Sequence, residues 1–144
     1  MAFFSERTAR GGILICPASK SLVAQTKHGM QLGQKPAPKT GVLKICNLGT
    51  KEVQTLVAHK RELAYCSLDF SGKKCATAGI LGTLIRVWGT ENRNLLYELR
   101  RGTDPANIFG FSFCSLGSMN SDRLLAGGSD KGTEWFRENY VIDF

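Results

Sequence analysis

The sequence predicts an all-β fold of short antiparallel strands. Three observations carry this. No long segment has helical periodicity, short apolar or alternating runs recur throughout, and Gly, Asn, Asp and Ser punctuate them. With 144 residues, 42% of them hydrophobic, the chain has the material for one domain with a core and is not of disordered composition.

The strands follow in order. GILIC (12–16) opens on a glycine, and VLKICNL (42–48) lies between Gly41 and Gly49. LAYCSLDF (63–70) stops at Ser71-Gly72, KCATAG (74–79) ends on its own glycine, and TLIRVW (83–88) sits between Gly82 and Gly89. LLYELR (95–100) runs from Asn94 to the Arg101-Gly102 step. IFGFSFC (108–114) alternates its phenylalanines, RLLAGGS (123–129) stops at Asp130, and TEWF (133–136) follows Gly132. Residues 26–40, with Pro36 and Pro38, read as a polar connection.

An internal repeat organises these strands. Leu68-Asp69-Phe70-Ser71-Gly72, then CATAG, then Gly82-Thr83 opening a strand, returns as Phe111-Ser112-Phe113, RLLAGGS and Gly132-Thr133. Thr40-Gly41 before VLKIC is a weaker third copy. Spacings of about 40–50 residues with about four short strands each fit the blades of a β-propeller. The expected architecture is a partial WD40-like β-propeller of four-stranded antiparallel blades: an incomplete blade over 12–48, a blade over 58–90 and a blade over 95–136. A lone blade cannot bury its own faces, so such a chain is expected to be marginal or oligomeric by itself. At about two and a half blades it is expected to be a fragment of a longer protein.

Net charge is +7, which suits a polyanionic partner such as nucleic acid, anionic lipid or an acidic protein. The five cysteines, Cys16, Cys46, Cys66, Cys75 and Cys114, contain no C-x-x-C, and only His28 and His59 are available to join a metal site. They read as reduced, mostly buried thiols, and neither metal nor cofactor is expected. The N-terminus has no long apolar core of a signal peptide, and no run approaches 18 apolar residues, so no transmembrane segment is expected. A cytoplasmic setting follows as the expectation. No His/Asp/Ser constellation, glycine-rich phosphate loop or metal spacing points to an enzyme.

LLYELRRGTDPA (95–106) places Arg100 and Arg101 side by side at the end of a strand. Because side chains alternate, adjacent arginines point to opposite faces of the sheet, and Gly102 then permits a tight turn. Each planar guanidinium suits a phosphate, which it holds through two parallel hydrogen bonds.

ELRRGTDPANIF, the preceding GTLIRVW, the following SDKGT and AHKRELAYCSLDFSGKKCATAG (58–79) together resemble the PROPPIN family, and within it the WIPI branch of WD-repeat propellers. The family hallmark, Phe- or Leu-Arg-Arg-Gly between two blades, is met by Leu99-Arg100-Arg101-Gly102. The resemblance implies binding of phosphatidylinositol 3-phosphate and phosphatidylinositol 3,5-bisphosphate in two headgroup pockets. It implies a role in autophagy as a peripheral scaffold at preautophagosomal or endosomal membranes, with autophagy proteins as partners. Carried over by motif, Arg100 anchors the first pocket with Arg86, Thr83 and His59, and Arg101 anchors the second with Ser129, Lys131 and Thr133. The chain departs from the family pattern at Ala78-Gly79-Ile80-Leu81, where polar and charged residues are usual, at Gly89, and in the tail GTEWFRENYVIDF, which is expected to break the last strand.

Simpler roles stand beside these. Arg86 has Glu98 as a potential ion-pair partner, Thr83 and Thr133 have strand opening, and His59 has a structural hydrogen bond. Two other functions remain open: a WD-repeat protein–protein scaffold without lipid binding, and a basic β protein that stacks nucleic-acid bases on Phe111, Phe113 and Trp135.

Overall fold

A computed structural model describes the backbone of residues 9–10, 12–18, 40–114, 124–137 and 140–143, with side chains for 12–18, 40–113 and 127–132. Every regular element in these residues is a strand. Three four-stranded antiparallel sheets follow one another along the chain. The first holds β1 (Ala9–Arg10), β2 (Ile13–Pro17), β3 (Gly41–Asn47) and β4 (Val53–His59). The second holds β5 (Leu63–Leu68), β6 (Lys74–Gly79), β7 (Leu84–Gly89) and β8 (Leu95–Arg100). The third holds β9 (Ile108–Cys114), β10 (Leu124–Ser129), β11 (Gly132–Arg137) and β12 (Tyr140–Asp143). Sequence order is spatial order within each sheet, as in a meander of hairpins.

The all-β expectation holds, and the sheet boundaries correct the blade assignment. Leu95–Arg100 closes the second sheet, paired with β7, instead of opening a third blade. Residues 53–59 form a strand of their own that completes the first sheet, so the blade expected over 58–90 begins instead at Leu63. The tail that was expected to break pairing supplies β11 and β12. The described residues thus form three four-stranded sheets, not two and a half. The polar connection at 26–40 lies outside the described residues apart from Thr40.

The repeat maps onto this frame. Thr40-Gly41, Gly82-Thr83 and Gly132-Thr133 each lie where the third strand of a sheet begins. Gly82 has φ +63, a conformation side chains disfavour, and an added Cβ would run into the Ala106 carbonyl oxygen.

Alternation along the middle sheet explains the packing. On β6 and β7, Cys75, Thr77 and Trp88 face the first sheet, while Ala76, Ala78, Ile85 and Val87 face the third. The first interface adds Ile15, Leu43, Ile45, Ala58, Leu63, Cys66 and Leu68, all buried. The second adds Leu99 and Phe111, with Tyr65, Leu96, Tyr97, Ile108 and Phe113 partly buried around them. Tyr65 and Phe111 meet edge to face, with ring centroids 4.9 Å apart. Small residues on β6 let both neighbouring sheets approach it.

Phe70 falls outside its expected strand. Asp69, fully buried, accepts hydrogen bonds from the Lys74 amide and the Ser71 hydroxyl, at 2.9 and 2.7 Å, and bends the chain there. The strand ends at Leu68, and Phe70 is left 74% exposed in the turn. Burial pushes the Cys66 and Cys75 thiols up to about 12, so they pack as small apolar groups; Cys16 and Cys46 are half-buried and unbridged. The Cys114 side chain lies outside the described residues.

Burial predicts a contrast between two apolar positions of the first sheet. Leu43 is fully buried between sheets and Val57 is 65% exposed on edge strand β4. Leu43→Ala is expected to destabilise by about 2–5 kcal/mol and Val57→Ala by less than about 0.5 kcal/mol, read as urea midpoints of the full chain. Equal midpoints for the two variants contradict this packing.

Candidate functional site

The connections at one end of the strands converge. These are the β4–β5 connection, the β6–β7 turn, the β8–β9 loop and the β10–β11 turn. Backbone hydrogen bonds lock them together. The Ile80 amide donates to the Glu62 carbonyl at 2.9 Å, the Ala106 amide to Leu81 at 3.0 Å, and the Asp130 amide to Asn107 at 3.1 Å. Asp130 returns the contact, its carboxylate accepting from the Asn107 amide at 3.0 Å and from its side-chain NH₂ at 3.1 Å.

An open cleft of about 250 Å³ lies at this end. It is lined by His59, Lys60 and Arg61 from the first connection, by residues 79–83 of the β6–β7 turn, and by Leu84 and Arg86 of β7. Three residues singled out in the sequence for a first pocket, His59, Thr83 and Arg86, are therefore neighbours. Arg100 is exposed and pairs with Leu84 across the outer edge of the sheet, beside the cleft and outside its lining. Lys60 and Arg61 were missed as site residues. Their signal was the strand at 53–59: once VQTLVAH ends at His59, the two cations after it must lie in a connection at the strand ends.

Arg86 is engaged. Its Nε donates to the Glu98 carboxylate at 2.8 Å and its Nη1 to the Ala58 carbonyl at 2.7 Å, which ties the second sheet to the first. The ion pair weighed from the sequence is present. A phosphate entering the cleft would share this guanidinium with Glu98, whose side chain is 43% exposed and so weakly held.

His59 is 7% exposed, and its Nε2 lies 2.9 Å from the Thr77 hydroxyl. Thr77 also accepts from the Trp88 indole N–H at 2.9 Å. The Thr77 hydroxyl also donates to the Arg86 carbonyl at 3.4 Å, and the tautomer of His59 sets which partner donates in the His59–Thr77 contact. Burial pulls the His59 pKa from 6.5 down to about 4; hydrogen bonding to the Thr77 backbone opposes this, the Arg86 charge adds to it and Glu98 opposes it. His59 is therefore a neutral bridge between two sheets that also forms part of the cleft wall.

Arg101 lies just past β8. Its backbone amide donates to the Thr83 carbonyl at 2.9 Å, its Nε to the Gly82 carbonyl at 2.6 Å, and its Nη2 to the Asp104 carbonyl. The strand alternation continues up to it: Glu98 and Arg100 sit on the face that carries Arg86, and Leu99 on the face toward the third sheet. In the third sheet's turn, Ser129 is buried and its hydroxyl accepts from the Lys131 amide at 3.2 Å. Lys131 is exposed. Thr133 is paired with Gly128 through the backbone, and its side chain lies outside the described residues. The Arg101 loop joins this turn through Asn107 and Asp130.

A second cleft, of about 370 Å³, lies at the opposite strand ends, between the turns that hold Asn47–Glu52, Ser71–Lys73 and Thr90–Glu91. Glu52 and Glu91 face a single Lys73 there, which does not suit an anion. Phe111 is buried and Phe113 packs on the same cluster, so neither offers a ring for base stacking. Trp135 has its side chain outside the described residues. Among the described residues, no group of His, Cys, Asp and Glu is arranged to hold a metal ion, and no helix is long and apolar enough to cross a membrane.

No protein-family model matches the sequence. SVP1-like protein 2 of Neurospora crassa is 40% identical over 98 residues, which is 68% of this chain and 22% of that protein. Autophagy-related protein 18 of Saccharomyces cerevisiae is 35% identical over 106 residues, 73% of this chain and 20% of that protein. The chain thus spans only about a fifth of the length of these two relatives. The structure of Kluyveromyces lactis Hsv2 superposes with a TM-score of 0.67 at 23% identity, covering 91% of this chain and 36% of that one. The β-propeller domain of Myceliophteria thermophila Cps50 (Swd1) follows at a TM-score of 0.55 and 18% identity, covering 73% and 32%. These two likenesses show the fold: the three sheets are blades of a β-propeller.

The His59 bridge has a testable pH dependence. An unfolded chain takes up a proton below 6.5 that the folded chain refuses until about 4, so stability is full above 6.5 and falls between those values. The urea midpoint of the full chain is expected to drop across that window. His59→Gln is expected to lower the midpoint at neutral pH and to flatten the dependence above 4. The same slope in both proteins refutes a buried neutral His59.

Proposed function

The chain belongs to the PROPPIN family of β-propellers, and on that premise we propose that it binds the headgroups of phosphatidylinositol 3-phosphate and phosphatidylinositol 3,5-bisphosphate. The observation that carries this reading is the cationic end of the stacked blades. Lys60, Arg61 and Arg86 line one cleft, Arg100 stands at its edge, and Arg101 and Lys131 lie on the side of the third sheet. A headgroup bearing one or two phosphate monoesters has the charge and the acceptor oxygens to use them.

In the first site Arg100 is the free-standing anchor, Arg86 and Thr83 contact the same phosphate, and His59 shapes the wall from its place in the bridge to Thr77. In the second site Arg101 is the anchor, held in position by Gly82 and Asp104, and Lys131 supplies a point charge. Ser129 holds the turn by accepting a hydrogen bond from the Lys131 amide, which fixes the backbone that carries the lysine. Thr133 is assigned to this site by motif. The chemistry is binding, with no cofactor and no catalytic step. Recruitment in this way makes the chain, or the longer propeller it corresponds to, a peripheral membrane scaffold. The name of the yeast relative supports a setting in autophagy; the cytoplasmic side of preautophagosomal or endosomal membranes, with autophagy proteins as partners, is what the family resemblance adds to this proposal.

Arg100→Thr and Arg101→Thr test the two sites separately. A charge-assisted phosphate contact contributes about 1.5–3 kcal/mol, so each change is expected to weaken binding to vesicles containing phosphatidylinositol 3-phosphate about tenfold or more, and the double change to abolish it. Arg101→Thr also removes two bonds to backbone carbonyls, so its urea midpoint is measured alongside. The control is Lys73→Thr/Lys74→Thr in the turn at the opposite end, where a nonspecific charge contributes about 1 kcal/mol per residue. Equal losses from the arginine and lysine pairs, or equal binding to phosphatidylserine vesicles, refute the reading.

A further inference from the structure

The cleft at the opposite strand ends is a groove between two sheets that headgroup binding does not use. The first sheet gives it Ile13, Ile45, Glu52 and Gln54, and the second gives it Ser71–Lys73, Thr90 and Glu91. Ile45 belongs to the apolar cluster between these sheets and Ile13 packs on it, so the core surfaces as the floor of the groove. At about 370 Å³ the space is in the size range of ligand pockets and takes several side chains of a partner.

Its walls are held. The Thr90 hydroxyl donates to the Gly72 carbonyl at 2.6 Å and the Thr90 amide to the Lys73 carbonyl at 2.9 Å, which ties the β5–β6 turn to the β7–β8 connection. Across the groove, the Asn47 side-chain carbonyl accepts from the Gly49 and Thr50 amides at 2.9 and 3.1 Å. A site fixed before contact loses little freedom on binding. The polar side chains are less committed than the backbone. Among the described residues, Gln54 and Glu91 make no side-chain hydrogen bond or ion pair, and Glu52 has only a 3.5 Å contact from the Thr50 hydroxyl. A primary amide offers one acceptor and two donors, which complement a peptide unit, and two carboxylates beside one ammonium favour a cation. Leu48 and Phe70 stand exposed in the same turns, outside the lining, and extend the apolar contact past the groove. Lys51, Lys74 and Arg93 lie in or next to these turns as well, so the preference for a cation is one of contact and not of steering over distance.

From this combination we propose that the groove docks an extended peptide segment of a partner protein. An aliphatic side chain of the segment rests on Ile13 and Ile45, a lysine or arginine next to it meets Glu52 and Glu91, and its backbone is bound by Gln54. The proposal does not depend on the phosphoinositide reading. It uses the other end of the sheets, so partner and headgroup do not compete.

The test uses capped pentapeptides with leucine at the second and fourth positions and lysine, norleucine or glutamate at the third, titrated into the full chain and read by amide NMR. The lysine peptide is expected to shift Glu52–Gln54, Ser71–Lys73 and Thr90–Glu91 and to bind about tenfold more tightly than the glutamate peptide, with norleucine between them. Serine in place of both leucines is expected to weaken the lysine peptide about fivefold or more. Glu52→Gln/Glu91→Gln, two conservative changes at exposed positions, is expected to bring the three peptides within about twofold of one another. Glu62→Gln/Asp104→Asn, the same change of charge at the other end of the sheets, is expected to keep their order. A glutamate peptide that binds as well as the lysine peptide, an order unchanged by Glu52→Gln/Glu91→Gln, shifts confined to other turns, or no saturable shift with any peptide overturns the proposal. Spermidine, titrated in parallel, overturns it in favour of a small amine ligand by binding the same residues more tightly than the lysine peptide.

Discussion

Both faces of the middle sheet are apolar, and that constraint governs the rest of the molecule. Cys75 and Trp88 on one face, and Ala76, Ala78, Ile85 and Val87 on the other, must each leave water, so the sheet is stable only between two neighbours. The first sheet meets it through Ile15, Leu43 and Ile45, and the third through Phe111. Few polar groups enter these interfaces, and those that do are satisfied. The Thr77 hydroxyl takes the Trp88 N–H and faces His59, so one oxygen joins β4, β6 and β7. Such a bridge rewards a single relative placement of the two sheets, where apolar contact alone tolerates sliding.

The functional geometry follows from that placement. Antiparallel meanders put alternate connections at the same end, and stacked sheets bring those ends together. Lys60–Arg61, Ile80–Thr83, Arg100–Asn107 and Ser129–Lys131 are distant in sequence and adjacent in space for this reason. Arg86 shows how the core and the cleft are coupled. It reaches from the second sheet to the Ala58 carbonyl of the first while its Nε is held by Glu98, so it serves sheet packing and remains at the cleft wall. The cleft at the other end of the sheets is built in the same way and lined differently, with Glu52 and Glu91 beside Lys73. Selectivity between the two ends therefore comes from side chains and not from the fold.

The strands were readable where apolar runs met glycine, as at Gly82 and Gly89 around β7. They were not readable at 53–59, where Val53, Thr55 and Val57 face solvent on an edge strand and the inward positions are only Gln54, Leu56 and Ala58, so neither face reads as strongly apolar. Missing that strand shifted the blade boundaries and hid Lys60 and Arg61. Phe70 was misplaced for a different reason: the hydrogen bonds of buried Asp69 end the strand, and composition does not reveal that the carboxylate turns inward. For the site, the opposed facing of Arg86 and Glu98 against Leu99 was visible from alternation alone. The engagement of Arg86 with the neighbouring sheet, and of Arg101 with Gly82 and Asp104, depends on loop contacts that no local pattern encodes. The family motifs compensated in part, because they carry spatial proximity in their order along the chain.

The central claim is that one end of the stacked sheets is an anion site and the other is not. The most direct measurement is backbone amide NMR of the full chain during titration with soluble inositol 1,3-bisphosphate. Shifts are expected to concentrate at Lys60–Arg61, Thr83, Arg100–Gly102 and Ser129–Lys131, and to leave Asn47–Glu52 and Ser71–Lys73 unmoved. Shifts of equal size at the Glu52 and Lys73 turns, or none at Arg100–Gly102, contradict the claim.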